Sequence, residues 1–152
     1  MKMSRSCSCE QSYIVRNEHI NGNGRLFGGQ LLMWIDDIAG VTARRYCGKN
    51  ITTACIDNLE FLAGAYQNET IVLNAAITYV GKTSMEVTVK TYCETLDGER
   101  TLINVAHLVE VALNKDGQAS KVPPFEPETD EEKAEWERGR LRYEARKNRE
   151  KI

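Results

Sequence analysis

The sequence predicts an α+β protein in which one long helix faces an antiparallel sheet of four or five strands. One early segment has apolar residues spaced near 3.6, as in a helix that packs on one face. Four later segments alternate with a period of two and are separated by turn residues. The length of 152 residues suits a single domain whose core needs neither disulfides nor a metal.

The N-terminal residues predict a leader, a short strand and a loop. Residues 1–10 are polar and are expected to be disordered, whereas Tyr-Ile-Val within residues 11–16 indicates a strand. Residues 17–24 contain Asn-Gly-Asn-Gly, a typical turn composition. No apolar segment follows the first basic residues, and none reaches the roughly 18 residues that cross a bilayer. We therefore expect a cytoplasmic protein without a membrane partner.

The predicted helix covers about residues 31–46. Gly28-Gly29 marks its start and Gly48 is a suitable stop. The apolar residues that define its period are Leu31, Leu32, Ile35, Ile38, Ala39, Ala43 and Tyr46.

The four predicted strands cover residues 51–62, 70–80, 84–94 and 100–113, which are rich in Val, Ile, Thr and Tyr. Breaks occur at Gly64, Gly81-Lys82, Asp97-Gly98 and Asp116-Gly117, and the last two are hairpin signals. With the short strand before the helix, the sheet would have five strands.

The C-terminal residues predict a linker followed by an exposed, charged helix. Residues 122–127 contain three prolines, which neither continue a sheet nor enter a helix interior. Thr129 and Glu132 fit a capping box, and residues 130–149 carry acids first and basic residues last. Trp136, Leu141 and Tyr143 are the main apolar residues of this helix. The net charge of −2 and the interleaved acids do not favour a nucleic-acid partner.

Asp36 is the most informative polar residue. At 100° per residue it shares a helix face with Leu32, Ala39 and Ala43, whereas Asp37 points elsewhere. We expect its carboxylate to be desolvated, which would raise its pKa. Burying an unpaired acid is costly, so Asp36 needs a role. The pattern leaves two roles open, catalysis or acceptance of hydrogen bonds that fix packing on the sheet.

Gly28 and Gly29 would lie where helix amides lack intrahelical acceptors, a place that stabilises negative charge. Such amides could hold the oxyanion of a reacting carbonyl. The alternative is that the glycines only permit a tight turn or a close helix–sheet contact. Neither a phosphate-binding loop nor a dinucleotide-binding motif is present.

The five cysteines and two histidines do not form a metal pattern, so we expect reduced thiols and no metal. His107 alternates with apolar strand residues, which favours a core histidine bonded to backbone over a catalytic one. Asp57 and Glu60 are expected to form structural pairs. No GxSxG surrounds Ser84, which argues against a serine hydrolase.

Several motifs in order resemble the hotdog-fold acyl-CoA thioesterases, in particular their cytosolic long-chain and YciA-like group. The similarity covers about residues 13–145 and is carried by residues 21–36, 54–61, 79–87, Val122-Pro123, 127–133 and 139–143. It implies a hotdog domain at residues 11–122, with the long central helix wrapped by a five-stranded antiparallel sheet. Residues 123–152 would then be the linker and the C-terminal charged helix.

The resemblance also implies site residues. Asp36 matches the family's catalytic acid, and Gly28, with Gly29 adjacent, matches the glycine near the thioester oxygen. A water-positioning asparagine of some relatives is replaced here by Arg25, so Asn21 or Asn23 would serve instead. The channel for pantetheine and CoA would be lined by Gly81, Lys82, Thr83 and Ser84.

The implied activity is hydrolysis of fatty acyl-CoA to free acid and CoA, with Asp36 as general base or as nucleophile. No cofactor is expected beyond the CoA of substrate and product. The implied assembly is a dimer with active sites at the subunit interface, and a trimer of dimers. Two alternatives are a non-catalytic acyl-CoA-binding regulator and a hotdog dehydratase, whose catalytic histidine has no counterpart at the start of the helix.

Overall fold

The computed structural model describes residues 7–149, which form a five-stranded antiparallel sheet with one helix on each face. In chain order the elements are β1 (Ser8–Ile14), a 3-10 helix (Asn17–His19), α1 (Gly28–Cys47), β2 (Asn50–Phe61), β3 (Thr70–Val80), β4 (Ser84–Glu94), β5 (Arg100–Leu113) and α2 (Asp130–Lys147). The strand order β1-β3-β4-β5-β2 leaves β1 and β2 at the edges. This architecture confirms the predicted fold class.

The long strands lie where the sequence predicts them. β3, β4 and β5 have the predicted limits, and β2 is displaced by one residue. Asp97-Gly98 forms the β4–β5 hairpin, in which Gly98 has φ of 90° and Thr95 N donates to Glu99 O at 2.9 Å. The turn at Asp116-Gly117 closes with a single bridge between Leu113 and Ala119 rather than a further strand.

β1 begins earlier than predicted. It covers Ser8–Ile14 instead of residues 11–16, so three residues of the predicted disordered leader are paired with β3. An edge strand pairs through backbone hydrogen bonds and packs only one face, so the polar sequence of β1 lacks the apolar alternation that predicts a buried strand. Of the rest of the predicted leader, Cys7 precedes the strand and accepts a hydrogen bond from Ile77 N at 2.8 Å, and residues 1–6 lie outside the described residues.

Helix α1 lies across the inner face of the sheet and contacts all five strands. It ends where predicted, at Gly48, whose φ of 67° allows its N–H to reach Arg44 O. Ile35 and Ile38 are essentially unexposed, and burial of each contributes about 1.5–3 kcal/mol. Trp34 stacks on Tyr13 of β1, with ring centroids 4.3 Å apart. Within residues 7–149, neither helix has the length and hydropathy needed to cross a membrane.

Helix α2 packs on the outer face of the sheet. Thr129 Oγ1 accepts a hydrogen bond from Glu132 N at 3.1 Å, as the predicted capping box requires, but the Glu132 carboxylate accepts from Glu128 N rather than from the cap. Its one buried residue, Gly139, lies so close to Tyr79 that an added Cβ would be 2.7 Å from the Tyr79 Cβ. A glycine is therefore needed for this approach.

An ion-pair network fastens α2 to the sheet. Arg142 donates to both oxygens of Glu86, Nε to Oε2 at 2.9 Å and Nη2 to Oε1 at 2.8 Å, and Thr78 Oγ1 donates to Oε1 at 2.6 Å. Burial works to raise the pKa of Glu86, but these hydrogen bonds outweigh it and hold the pKa below its ordinary value. Asp57 forms the predicted structural pair, with Arg146 at 3.8 Å and Arg149 at 3.3 Å.

His107 lies beneath this network. Its Nδ1 is 2.9 Å from Thr88 Oγ1, so the predicted hydrogen bond to backbone is wrong. Burial lowers the pKa of His107, and the neighbouring Arg142 charge lowers it further. The imidazole is therefore a packed, hydrogen-bonded group on the face opposite α1.

Candidate active site

Asp36 lies at the margin of the buried face of α1, next to β2. Ile35 and Ala39 beside it are fully buried, but Asp36 itself is half-buried and Gly29 is exposed. The desolvation expected for Asp36 is therefore only partial, because β2 is an edge strand and covers this side of the helix only partly. A half-buried carboxylate can contact both the protein and a ligand.

Thr53 of β2 joins Asp36 to a second carboxyl group. Its Oγ1 lies 2.8 Å from Asp36 Oδ1 and 2.9 and 3.1 Å from the two carboxyl oxygens of Glu110. Thr53 and Glu110 are opposite each other in the β2–β5 register, and a bulge follows directly after Thr53. Pairing and bulge together aim the threonine hydroxyl between the two acids.

Glu110 is the fully desolvated acid of this cluster, with no exposed surface. Burial raises its pKa, the hydrogen bond with Thr53 opposes that rise, and the Asp36 charge adds to it, which brings the pKa to about 7. Thr53 and Glu110 were not identified from the sequence. Glu110 did carry a signal, since it alternates with Leu108 and Ala112 on the inner strand face.

The amides of Gly28 and Gly29 open the first turn of α1. The turn is closed by Gln30 N and Leu31 N, which donate to Phe27 O at 3.0 and 3.1 Å. Neither glycine amide donates to an acceptor within residues 7–149. Both are therefore available to an anion or a polarised carbonyl.

Gly28 lines a cavity of about 390 Å³ with mostly apolar walls. The polar members are Asn21 and Arg25, and Phe61 and Leu62 belong to the apolar wall. Asn21 Oδ1 accepts hydrogen bonds from Asn23 N at 2.9 Å and Arg25 N at 3.2 Å. The Asn21 side-chain oxygen thus holds the loop together. Within the described chain, the N–H groups of Asn21 Nδ2 are left to donate to a ligand.

Within one chain, Gly28 and Asp36 are too far apart to contact the same substrate atom. They are eight residues apart on α1, or about 12 Å at 1.5 Å per residue, and Asp36 is not among the residues that line the Gly28 cavity. A single thioester carbonyl therefore cannot contact both groups of one chain.

The predicted channel residues 81–84 form the turn between β3 and β4. Gly81 N donates to Ser84 O at 2.8 Å, while Thr83 O and Lys82 O accept from Ala112 N and Val122 N. Gly81 and Lys82 line a cavity of about 490 Å³. The turn lies beside α2, because a Cβ at Gly81 would be 3.4 Å from the ring of Tyr143.

A cationic cavity of about 800 Å³ lies at the C-terminal end of α1. Its lining includes Arg44, Arg45, Lys49 and Lys115 and no acidic residue. Lys49 Nζ donates to Ser120 Oγ at 2.7 Å and to Lys121 O at 2.8 Å, which holds its charge in place. Such a surface suits a phosphorylated ligand. No group of three or more possible metal ligands occurs in the described part of the chain.

Known proteins are similar to this chain in sequence and in fold. Residues 23–98 match the model of the Thioesterase superfamily. The chain is 39% identical to the uncharacterized acyl-CoA thioester hydrolase YkhA of Bacillus subtilis over 130 residues, 82% of this chain and 76% of that protein. The chain belongs to the thioesterase superfamily. Another relative is the mouse cytosolic acyl coenzyme A thioester hydrolase, 31% identical over 80% of this chain and 32% of its own length.

Solved structures of thioesterases have the same architecture. An apo-hexameric acyl-CoA thioesterase matches with a TM-score of 0.89 and 38% identity, covering 94% of this chain and 92% of that one. The acyl-CoA hydrolase of Staphylococcus aureus, in complex with butyryl coenzyme A, coenzyme A and coenzyme A disulfide, matches with a TM-score of 0.89 and 31% identity over 93% and 87%. Structures of that enzyme with an aspartate, a threonine or an asparagine replaced by alanine match equally well.

Proposed function

We propose that this chain hydrolyses acyl-CoA thioesters to a free carboxylic acid and CoA. The observation that carries the proposal is the half-buried Asp36 carboxylate, of which Oδ1 lies 2.8 Å from the Thr53 hydroxyl. A hydrogen bond from that hydroxyl fixes one oxygen and leaves the other to a water or a substrate. Relatives named acyl-CoA thioester hydrolases supply the substrate class.

Asp36 acts as a general base in the proposed reaction. It takes a proton from water, and the resulting hydroxide adds to the thioester carbonyl. A glycine amide at a helix start stabilises the oxyanion. Collapse of the tetrahedral intermediate expels the CoA thiolate, which takes the proton from Asp36. Direct attack by Asp36 to give a mixed anhydride, which water then hydrolyses, uses the same groups.

The proposed site is shared between two copies of the chain. Because about 12 Å of helix separates Gly28 from Asp36, the oxyanion donors that serve one Asp36 come from a second subunit. Phe27, Phe61 and Leu62, beside Gly28, are each more than half exposed, as expected for surface that a second copy covers. We propose that the dimer assembles further into a trimer of dimers, and the hexameric neighbour supports an assembly of six chains.

The spacing of three polar residues supports the assignment of Asn21. In the S. aureus enzyme, the replaced asparagine precedes the replaced aspartate by fifteen positions and the replaced threonine follows it by seventeen. Asn21, Asp36 and Thr53 have the same spacing. This favours Asn21 over Asn23 as the residue that positions water, with Thr53 as a third member of the site.

CoA is proposed to bind along the end of the sheet where α1 ends. The turn at residues 81–84 and the cationic cavity lie at this end, and Lys49 connects them through its hydrogen bond to Lys121 O. Arg44 is eight residues from Asp36, about 12 Å along the helix, which leaves room for the pantetheine arm between phosphates and thioester. The enzyme is proposed to act in the cytoplasm, like the relative named cytosolic.

The test is thiol release from a panel of acyl-CoAs, from acetyl to palmitoyl, by the wild type, Asp36→Asn and Asp37→Asn. Loss of a general base should lower kcat by about 10²–10⁴-fold, whereas Asp37, exposed on the same helix, serves as the matched control. Equal turnover by wild type and Asp36→Asn would refute the assignment. Tight acyl-CoA binding without turnover by any variant would favour the non-catalytic regulator.

A further inference from the structure

The hydroxyl of Thr53 has one proton and three carboxyl oxygens within 3.1 Å. It can donate that proton to Asp36 or to Glu110, but not to both. If both acids were ionised, one of the short O···O contacts would bring two lone pairs together without a hydrogen. At least one of the two carboxyl groups therefore carries a proton of its own.

The surroundings decide which acid holds the proton. Glu110 has no exposed surface, whereas Asp36 is half-buried and retains access to water. In the strand registers, β2 presents Thr53 to Glu110 and β4 presents the apolar Met85. From α1 the facing charge is Asp36, and within residues 7–149 no cation pairs with Glu110. A buried acid that faces another acid and no cation is the one that stays neutral.

We propose that Glu110 is a protonated positioning residue for Asp36. Its carboxyl O–H donates to Thr53 Oγ1, and the Thr53 O–H then has one direction left in which to donate, toward Asp36 Oδ1. The proton of Glu110 stays on Glu110 throughout the reaction. This inference rests on the proposed role of Asp36, and it adds a residue that does not touch the substrate.

The arrangement has a direct effect on the pH dependence of catalysis. With Glu110 neutral, the Asp36 carboxylate is held in one orientation and its second oxygen faces the water to be activated. When Glu110 ionises, two carboxylates compete for the single Thr53 proton and repel each other across it. Burial and the Asp36 charge raise the pKa of Glu110 to about 7, so activity should fall as pH rises through that pKa.

The first experiment compares the pH profiles of kcat for the wild type, Glu110→Gln and Glu110→Leu with a short-chain acyl-CoA. The glutamine amide can donate to Thr53 Oγ1 but cannot ionise. We expect the fall of kcat at high pH, the alkaline limb of the wild-type profile, to disappear in Glu110→Gln. KM should change by less than about threefold, because residue 110 does not contact the substrate. Glu110→Leu should lose at least about tenfold more kcat than Glu110→Gln, since it leaves the hydroxyl without its donor.

A second measurement follows the proton without turnover. The infrared difference spectrum between wild type and Glu110→Gln at pH 6 should contain the carbonyl band of a protonated carboxylic acid, and that band should vanish as the pH is raised. Its absence at pH 6 overturns the proposal, and so does an alkaline limb that persists unchanged in Glu110→Gln. If Glu110→Gln does not fold, Thr53→Val and Thr53→Ser replace it. Thr53→Ser should keep the fall of kcat at high pH, and Thr53→Val should remove it.

The two proposals fail separately. Absence of turnover by the wild type would refute the proposed function, and undiminished turnover by Asp36→Asn would refute the role of Asp36, whatever the state of Glu110. If Asp36→Asn has no turnover and the wild type shows no infrared band of a protonated carboxylic acid, only the role of Glu110 is refuted.

Discussion

Replacement of Arg142 by methionine removes the bidentate partner of a carboxylate that has no exposed surface. The guanidinium donates two hydrogen bonds to Glu86, at 2.8 and 2.9 Å. Loss of one partner from a buried ion pair costs about 3–5 kcal/mol, because the remaining charge is left uncompensated. Thr78 still donates to Glu86 and Arg146 remains 3.6 Å away, so we expect the lower end, about 3 kcal/mol. For a domain of this size that is about 6–12 °C in Tm.

The effect should depend on pH in a definite direction. In the wild type the pKa of Glu86 is lowered, so its contribution is present above the unfolded-state pKa and lost as pH falls through the folded-state pKa. Without Arg142, burial dominates and Glu86 takes up a proton at a higher pH, which relieves the penalty. The Tm difference between wild type and Arg142→Met should therefore shrink from pH 7 to pH 5.

Calorimetric or circular-dichroism melts at both pH values measure this difference. Arg140→Met is the matched control, because Arg140 lies on the same helix but pairs with an exposed acid, Glu137. Exposed pairs contribute little, so its Tm should stay near that of the wild type. Equal melts for Arg142→Met and wild type, or a difference that does not vary with pH, would refute the account of the buried pair.

Three further predictions concern packing and reactivity. Gly139→Ala should destabilise the protein by about 1–3 kcal/mol in denaturant titrations, since the new Cβ would be 2.7 Å from that of Tyr79; an unchanged midpoint would show that α2 shifts freely. Trp34→Ala should cost about 3–5 kcal/mol by the same measurement, because the ring is 5% exposed and stacked on a tyrosine; a cost below 1 kcal/mol would contradict this. Cys93 should resist alkylation at pH 8, because burial and its hydrogen bond to Glu69 raise its pKa to about 12, leaving a thiolate fraction of about 10⁻⁴. Glu69→Gln should speed its modification, measured by mass spectrometry, and equal rates would show that the carboxylate is not responsible.

The sequence alone was sufficient to predict the limits of an element where its local pattern and the tertiary structure agree. The limits of β3, β4 and β5 follow from period-two alternation between turn residues, and Gly48 ends α1 because a left-handed conformation suits glycine. The predicted range of β1 begins too late in the chain, because an edge strand tolerates polar residues on its open face. Its true start depends on the length of β3, which pairs with it, and that length is not a local property.

The cluster around Asp36 could be predicted only in part. The helical period placed Asp36 near the sheet, but its depth depends on how far an edge strand covers the helix. Thr53 carried no signal, because threonine is ordinary on a strand. Glu110 is seventy-four positions after Asp36 in the sequence, so their proximity follows from the β2–β5 register and from the position of α1 across both strands.

The packing of α2 has a consequence for the order of folding. Arg142 is 56 residues from Glu86 in the sequence, so the contact cannot form until β3 and β4 have paired and a long loop has closed. During synthesis all five strands are made before α2, so Glu86 is in the chain before its counter-charge exists. We therefore expect docking of α2 to be a late event in folding, which covers Glu86 on the outer face and brings in the Arg142 guanidinium.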